Sequence, residues 1–192
     1  LTAFADAFIW SVGWLPDGSI VAAAGTGGQV RKISPEGEAT VLASLGPVVP
    51  ACLAVDGEFV WAGTAPDGGV WLIENGQHRR VASLPGVHPA ALLAAGDGGV
   101  FVGGGGSGRI WKVERDGSVR VVADTGQAHI TALARGGGES LYAATSAGGA
   151  VWRGGGGGPR GRVRWVEDFE LFLWGGGGGD VCSAPRASGQ VL

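Results

Sequence analysis

Two histidines stand at related places in this sequence. His88 follows Gly86 by two residues, His129 follows Gly126 by three, and the two glycines are 40 apart. Imidazole moves protons near neutral pH and ligates metals, so such a pair could face a shared ligand or metal ion. A catalytic metal site takes three protein ligands. No third histidine stands at the corresponding place, where Gly46 is followed by Val48 and Val49. The competing reading is a loop histidine bonded to nearby backbone, repeated because its loop is repeated.

Tryptophan supplies the second set of candidates. Trp71, Trp111 and Trp152 recur at a near-constant interval, and Trp10, Trp14 and Trp174 form another group. An indole can stack on a sugar or aromatic ligand, or fill a core. Arg160, Arg162 and Arg164 alternate, which reads as a small anion patch or a solvated strand face. Asp-Gly pairs begin at 17, 56, 97 and 116; calcium needs clustered carboxylates, so these read as turns. The glycine runs 103–106 and 154–158 lack the lysine and the following helix of a phosphate loop. Cys52 and Cys182 form no Cys-x-x-Cys motif, which excludes a disulfide framework and points to buried free thiols.

The elements that must position these residues follow from a repeat. Gly28-Gln29-Val30-Arg31-Lys32-Ile33, Gly68-Gly69-Val70-Trp71-Leu72-Ile73, Gly108-Arg109-Ile110-Trp111-Lys112-Val113 and Gly148-Gly149-Ala150-Val151-Trp152 set a period of 40. Short runs of β-formers between glycine turns at that period predict an all-β propeller of four-stranded blades. The strands are expected at 8–14, 19–24, 29–33 and 39–44; at 51–55, 59–63, 69–73 and 78–83; and at 90–94, 100–103, 109–113 and 118–123. A fourth unit takes 130–134, 140–144 and 150–153, with its outer strand at 162–166 if residues 161–168 match 117–124 at an offset of 44. A fifth unit takes 170–174 and 180–184 and ends within its third strand.

The expectation is one propeller domain over 1–192, with blades at about 5–45, 46–85, 86–125, 126–168 and 169–192 plus 1–4. Residues 1–4 fall where an outer strand should end. That leaves two readings open: a closed five-bladed ring, or part of a larger propeller with unpaired edges. On this map His88 and His129 lie in the loop that enters an innermost strand, near one mouth of the channel. Trp10 and Trp14 lie in the first innermost strand. The innermost strands otherwise offer only Ser11, Thr131 and Glu170 as clearly polar residues, so no cage of carboxylates is visible and neither metal nor cofactor is expected.

Composition narrows the partners. With 14 basic and 17 acidic residues the net charge is −3, and no basic stripe stands out, so nucleic acid is not an expected partner. Eight tryptophans and the phased glycines, 40 in all, speak against a disordered chain. No run reaches the roughly 18 apolar residues of a membrane helix. Residues 1–10 lack the positive segment of a signal peptide. The absence of any methionine suggests a piece of a longer reading frame or a processed product, and leaves localisation open.

Asp17-Gly18-Ser19-Ile20, Phe59-Val60-Trp61-Ala62-Gly63-Thr64, Pro66-Asp67-Gly68-Gly69-Val70-Trp71 and Leu141-Tyr142-Ala143-Ala144-Thr145 resemble the glycine-rich propeller repeats of the NHL, YVTN and two-component-regulator-propeller type found in bacterial proteins. The resemblance covers nearly the whole chain. It implies the propeller fold and a choice among sensors, adhesive or scaffolding modules, and enzymes such as gluconolactonases and streptogramin lyases. The expected function is a non-enzymatic binding or scaffold module whose loops at one face hold a protein or carbohydrate ligand, with Trp10, Trp14, His88 and His129 as contact residues. One alternative is a lactonase-like or lyase-like enzyme with His88 and His129 near the chemistry. Another is the sensor domain of a larger signalling protein.

Overall fold

The computed structural model describes residues 8–25, 27–137, 140–146 and 149–154, together with the backbone of three further strands over 162–165, 173–175 and 181–183. Among the described residues there is no helix. The first sheet comprises β1 (Ile9–Trp14), β2 (Ile20–Ala24), β3 (Gln29–Ile33) and β4 (Ala39–Ser44). The second comprises β5 (Val49–Asp56), β6 (Phe59–Ala65), β7 (Gly69–Glu74) and β8 (Gln77–Ser83). The third comprises β9 (His88–Ala94), β10 (Val100–Gly105), β11 (Ser107–Val113) and β12 (Val119–Asp124). The fourth comprises β13 (His129–Arg135), β14 (Leu141–Ser146), β15 (Ala150–Gly154) and β16 (Arg162–Trp165), and β17 (Leu173–Gly175) pairs with β18 (Val181–Ser183). Each four-stranded sheet is an antiparallel meander in chain order, and the first strands of successive sheets pack against one another. This is a β-propeller arc of four sheets and a partial fifth. Residues 1–4, expected to complete the fifth blade, lie outside the described residues.

The repeated glycines have a physical cause. The carbonyls of Gly28, Gly68 and Gly108 accept hydrogen bonds from the amides of Leu45, Leu84 and Thr125, each 2.8 Å long. The loop between second and third strands therefore lies directly on the connection to the next blade. A Cβ at Gly68, where φ is +63°, would come within 2.2 Å of the Leu84 carbonyl oxygen. Only glycine allows that approach together with that φ.

Two further features recur in each of the four-stranded sheets. Each first strand carries a β-bulge, which falls at Trp10, Ala51, Ala90 and Thr131. Each outer pair carries another, at Leu42, Val81, Val122 and Val163. Leu42, Val81 and Val122 pack against the clusters between sheets, so the outer bulge turns an apolar side chain inward. In the fourth sheet Trp152 pairs with Arg162, whereas in the third Trp111 pairs with Val121. The expected offset of 44 would have placed Trp165 there, so the outer strand keeps the 41-residue spacing that already relates Trp111 to Trp152.

The core lies between sheets rather than within one. Val21, Ala23 and Val30 of the first sheet meet Leu53, Val60 and Ile73 of the second. Trp61, Val70 and Leu72 meet Leu92, Val100 and Val113 across the next interface. Ala91 and Ile110 meet Ile130, Leu133 and Trp152 across the third. Side chains as large as Ile110 and Ile130 are fully buried, each stabilising the stack by about 1.5–3 kcal/mol. Trp61 is also fully buried, and its indole N–H has no partner; the area of the ring offsets that cost.

Candidate functional site

The first strands β1, β5, β9 and β13 begin at one rim of the arc, together with the loops between second and third strands. His88 opens β9 opposite Gly105, and His129 opens β13 opposite Ser146. Both are exposed strand residues rather than members of the preceding loop. The bulges explain the shift: they break the alternation at Ala90 and Thr131, so the strand pattern becomes readable only after them.

The structure brings these two histidines together at Gly105. A Cβ there would stand 3.3 Å from His129 Nδ1 and 3.8 Å from His88 Cβ. The Gly106 amide donates to His129 Nδ1 at 3.3 Å. That bond requires a lone pair on Nδ1 and so puts the proton of the neutral ring on Nε2. His129 thus presents an N–H donor to the rim, while one of its nitrogens is bonded to neighbouring backbone.

Trp10 and Trp14 are separated by the length of β1. Trp10 is the bulged residue near the start, 50% exposed, and its indole donates to the Gly25 carbonyl at 3.3 Å. Phe8, 73% exposed, tilts against it with ring centroids 6.1 Å apart. Both share the rim of His88, two blades away, and His129, three blades away. Trp14, 70% exposed, pairs with Ile20 at the opposite end, so the structure does not bring it to that rim.

Among the described residues the other tryptophans serve packing. Trp71, Trp111 and Trp152 join the clusters against the preceding sheets, not the following ones. Trp71 Nε1 donates to Thr64 Oγ1 at 3.2 Å, and that hydroxyl donates to Asp67 Oδ1 at 2.7 Å. Asp67 in turn meets Arg80 at 3.1 Å. Sequence reading passed over this chain of contacts; a threonine followed by Asp-Gly-Gly-Val-Trp is the pattern that marks it. Cys52 is buried, and burial pushes its thiol up to about 12, which keeps it unreactive. The side chains of Arg160, Arg162, Arg164, Glu170, Trp174 and Cys182 lie outside the described residues.

The opposite rim, where first strands end, is ionic. Lys32 Nζ donates to Asp17 Oδ2 at 2.5 Å, and Ser19 N donates to Asp17 Oδ1 at 2.9 Å. The Lys32 bond foremost, then the Ser19 amide, holds the Asp17 carboxyl at about 2. One period-pair later Lys112 meets Asp97 and, at 3.0 Å, Glu114, with its side chain only 8% exposed. Burial acts to lower the Lys112 pKa, but the bonds to Asp97 and Glu114 outweigh it and raise it. Asp116 accepts from the Ser118 amide at 2.8 Å. The aspartates of the Asp-Gly pairs at 17, 97 and 116 thus close turns. Among the described residues no three His, Cys, Asp or Glu side chains are grouped so as to hold a metal, and no helix is long and apolar enough to cross a membrane.

No known protein family matches the chain, and no curated protein matches it in sequence. Solved structures do match in shape. A chain of the Nidogen/Laminin complex superposes with TM-score 0.75 at 15% identity, over 92% of this chain and 72% of that one. A streptogramin B lyase superposes with TM-score 0.80 at 16% identity, over 92% of this chain and 62% of the lyase, so the chain spans less than two thirds of that enzyme. A catalytically inactive histidine-to-alanine variant of virginiamycin B lyase from Staphylococcus aureus, determined with quinupristin, superposes with TM-score 0.75 at 14% identity, over 96% and 72%. At these identities the likeness speaks for architecture, and with the meander sheets and their shared interfaces it shows that the chain is a β-propeller.

Proposed function

We propose that the chain is a non-enzymatic binding module of the glycine-rich, NHL-like propeller type, which holds a protein or carbohydrate ligand at the rim where its first strands begin. The observation that carries this reading is the exposed Phe8–Trp10 pair on that rim. At the bulge position the other blades carry only Ala51, Ala90 and Thr131, so Trp10 is the large side chain that the bulge re-aims. Exposed paired aromatics stack on sugar rings and anchor protein interfaces. His88 and the Nε2–H of His129 supply polar contacts farther along the rim. The neighbour found in the Nidogen/Laminin complex supports the reading, since that propeller belongs to a protein–protein assembly.

The test is a biolayer-interferometry screen of oligosaccharides and peptides against the intact chain, in the presence of chelator. Ligands that bind under chelator and lose at least tenfold in affinity on Trp10→Ala support the module. Ligands indifferent to both Phe8→Ala and Trp10→Ala sink it.

A second reading is a lyase-like enzyme with its site at the same rim. The convergence of His88 and His129 on Gly105 favours it, as does the inactivity of the histidine variant among the similar lyases. Stoichiometric metal uptake lost on His88→Ala, with cleavage of a cyclic ester substrate, would select this reading over the first.

A further inference from the structure

Two grooves of common origin separate the first three blades at the rim where first strands end, and they are closed differently. In the groove between the second and third blades the connection 114–118 throws Arg115 back across the interface. Its Nη2 donates to both oxygens of Glu74, at 2.7 and 2.6 Å, and its guanidinium lies 4.2 Å from the centroid of Phe59. The corresponding connection of the second blade is the two-residue turn Asn75–Gly76, with φ of 51° and 73°. So tight a turn sends no long side chain back to the first blade. The groove there is an open cleft of about 190 Å³. That is below the roughly 300 Å³ of a small-molecule pocket and suits one amino-acid side chain.

Its lining is part apolar and part acidic. Leu15, Leu42, Val60 and Ile73 form an apolar wall along which an alkyl stem can lie. Asp17, Glu58 and Glu74 also line it, with Lys32. Lys32 pairs with Asp17, and Arg115 pairs with Glu74. Glu58, exposed, has no ion-pair partner among the described residues. The groove therefore carries one uncompensated negative charge beside an apolar wall.

We propose that this groove receives an arginine side chain from a partner protein, its alkyl stem along the apolar wall and its charge on the second blade's carboxylates. The guanidinium meets Glu58, and the Glu74 carboxylate has acceptor sites to spare beyond those that Arg115 uses. The site lies on the rim opposite Phe8 and Trp10, so it stands or falls separately from the rim ligand proposed above.

The experiment titrates N-acetyl-arginine methylamide into the isotope-labelled intact chain and follows amide shifts by NMR, with the neutral citrulline analogue and free arginine as parallel arms. The expected result is saturable, millimolar binding that moves the amides of Glu58, Asn75 and Gly76, with no response to citrulline. Glu58→Gln should weaken binding about fivefold, the order of one exposed ion pair. Lys32→Met should tighten it about threefold by releasing Asp17, a direction no merely structural role predicts. Equal response to citrulline, tighter binding of free arginine than of the blocked form, shifts confined to other residues, or indifference to both substitutions would each overturn the proposal.

Discussion

On the rim where β1, β5, β9 and β13 begin, glycine carbonyls make the recurrent closure, with the Asp67–Arg80 and Arg109–Asp124 pairs beside them; on the rim where they end, charged side chains reach across as well as the turn backbone. Glycine carbonyls at 28, 68 and 108 take the amides of the next connection on the first rim. On the second, Lys32 holds Asp17, Lys112 holds Asp97 and Glu114, Arg115 holds Glu74, and Arg135 reaches the Ala94 carbonyl at 2.8 Å. Closure by backbone leaves side chains free, so Phe8, Trp10 and His88 stay exposed. Closure by side chains consumes charge, and in the groove between the first two blades Glu58 is left without an ion pair among the described residues.

The sharpest way to break the first rim is to put a methyl group where backbone lies on backbone. Gly68→Ala, with its Cβ 2.2 Å from the Leu84 carbonyl oxygen, should cost about 3 kcal/mol or more in denaturant unfolding. A loss below about 1 kcal/mol would show that the connection gives way and that glycine is not what sets the period. On the second rim, Arg115→Ala removes one carboxylate pair and one ring contact and should cost about 1–2 kcal/mol, less in high salt. A salt-independent loss would mean that the alkyl stem, not the charge, does the work.

Acid tests the carboxylates of the second rim. The folded Asp17 pKa, about 2, lies below its ordinary value of 3.8, so its stabilisation is complete above about pH 4 and is lost as pH falls through 2. Asp97 is lowered too, chiefly by Lys112. Thermal melts between pH 5 and 2 should therefore fall, and Lys32→Met should flatten part of that slope; an unchanged slope would remove Asp17 from the account. The smallest effect belongs to the free side chains. His88→Ala and Trp10→Ala should each shift stability by no more than about 0.5 kcal/mol. A loss of 2 kcal/mol in either would make it a structural residue and weaken the binding reading.

Much of the architecture was legible because glycine spacing and strand alternation are local signals. The 28, 68 and 108 series pointed to the repeat, and the structure supplies its steric reason. The histidines fell two residues and one residue ahead of the expected strands, for equally local reasons. Pro50 and Pro89 look like strand breakers, but each stands next to a bulge, where a missing amide is tolerated. Expected strands therefore began at 51 and 90, whereas they start at Val49 and His88; at His129, where no proline stands, the expected start at 130 misses by one residue. The groove filled by Arg115 was illegible because its partner Glu74 lies 41 residues back and across an interface. No short motif encodes that reach. Trp14 failed to join Trp10 because four residues of extended chain carry it to the other end of β1.

The apolar clusters lie between sheets, each drawing members from one blade and from the next. That placement has a hereditary consequence. A copying error that repeats one stretch of about 40 residues delivers both halves of a new interface at once, because every unit already carries a leading face and a trailing face. Such a chain can lengthen or shorten by whole units without inventing a core, and novelty is left to the few side chains that neither face uses.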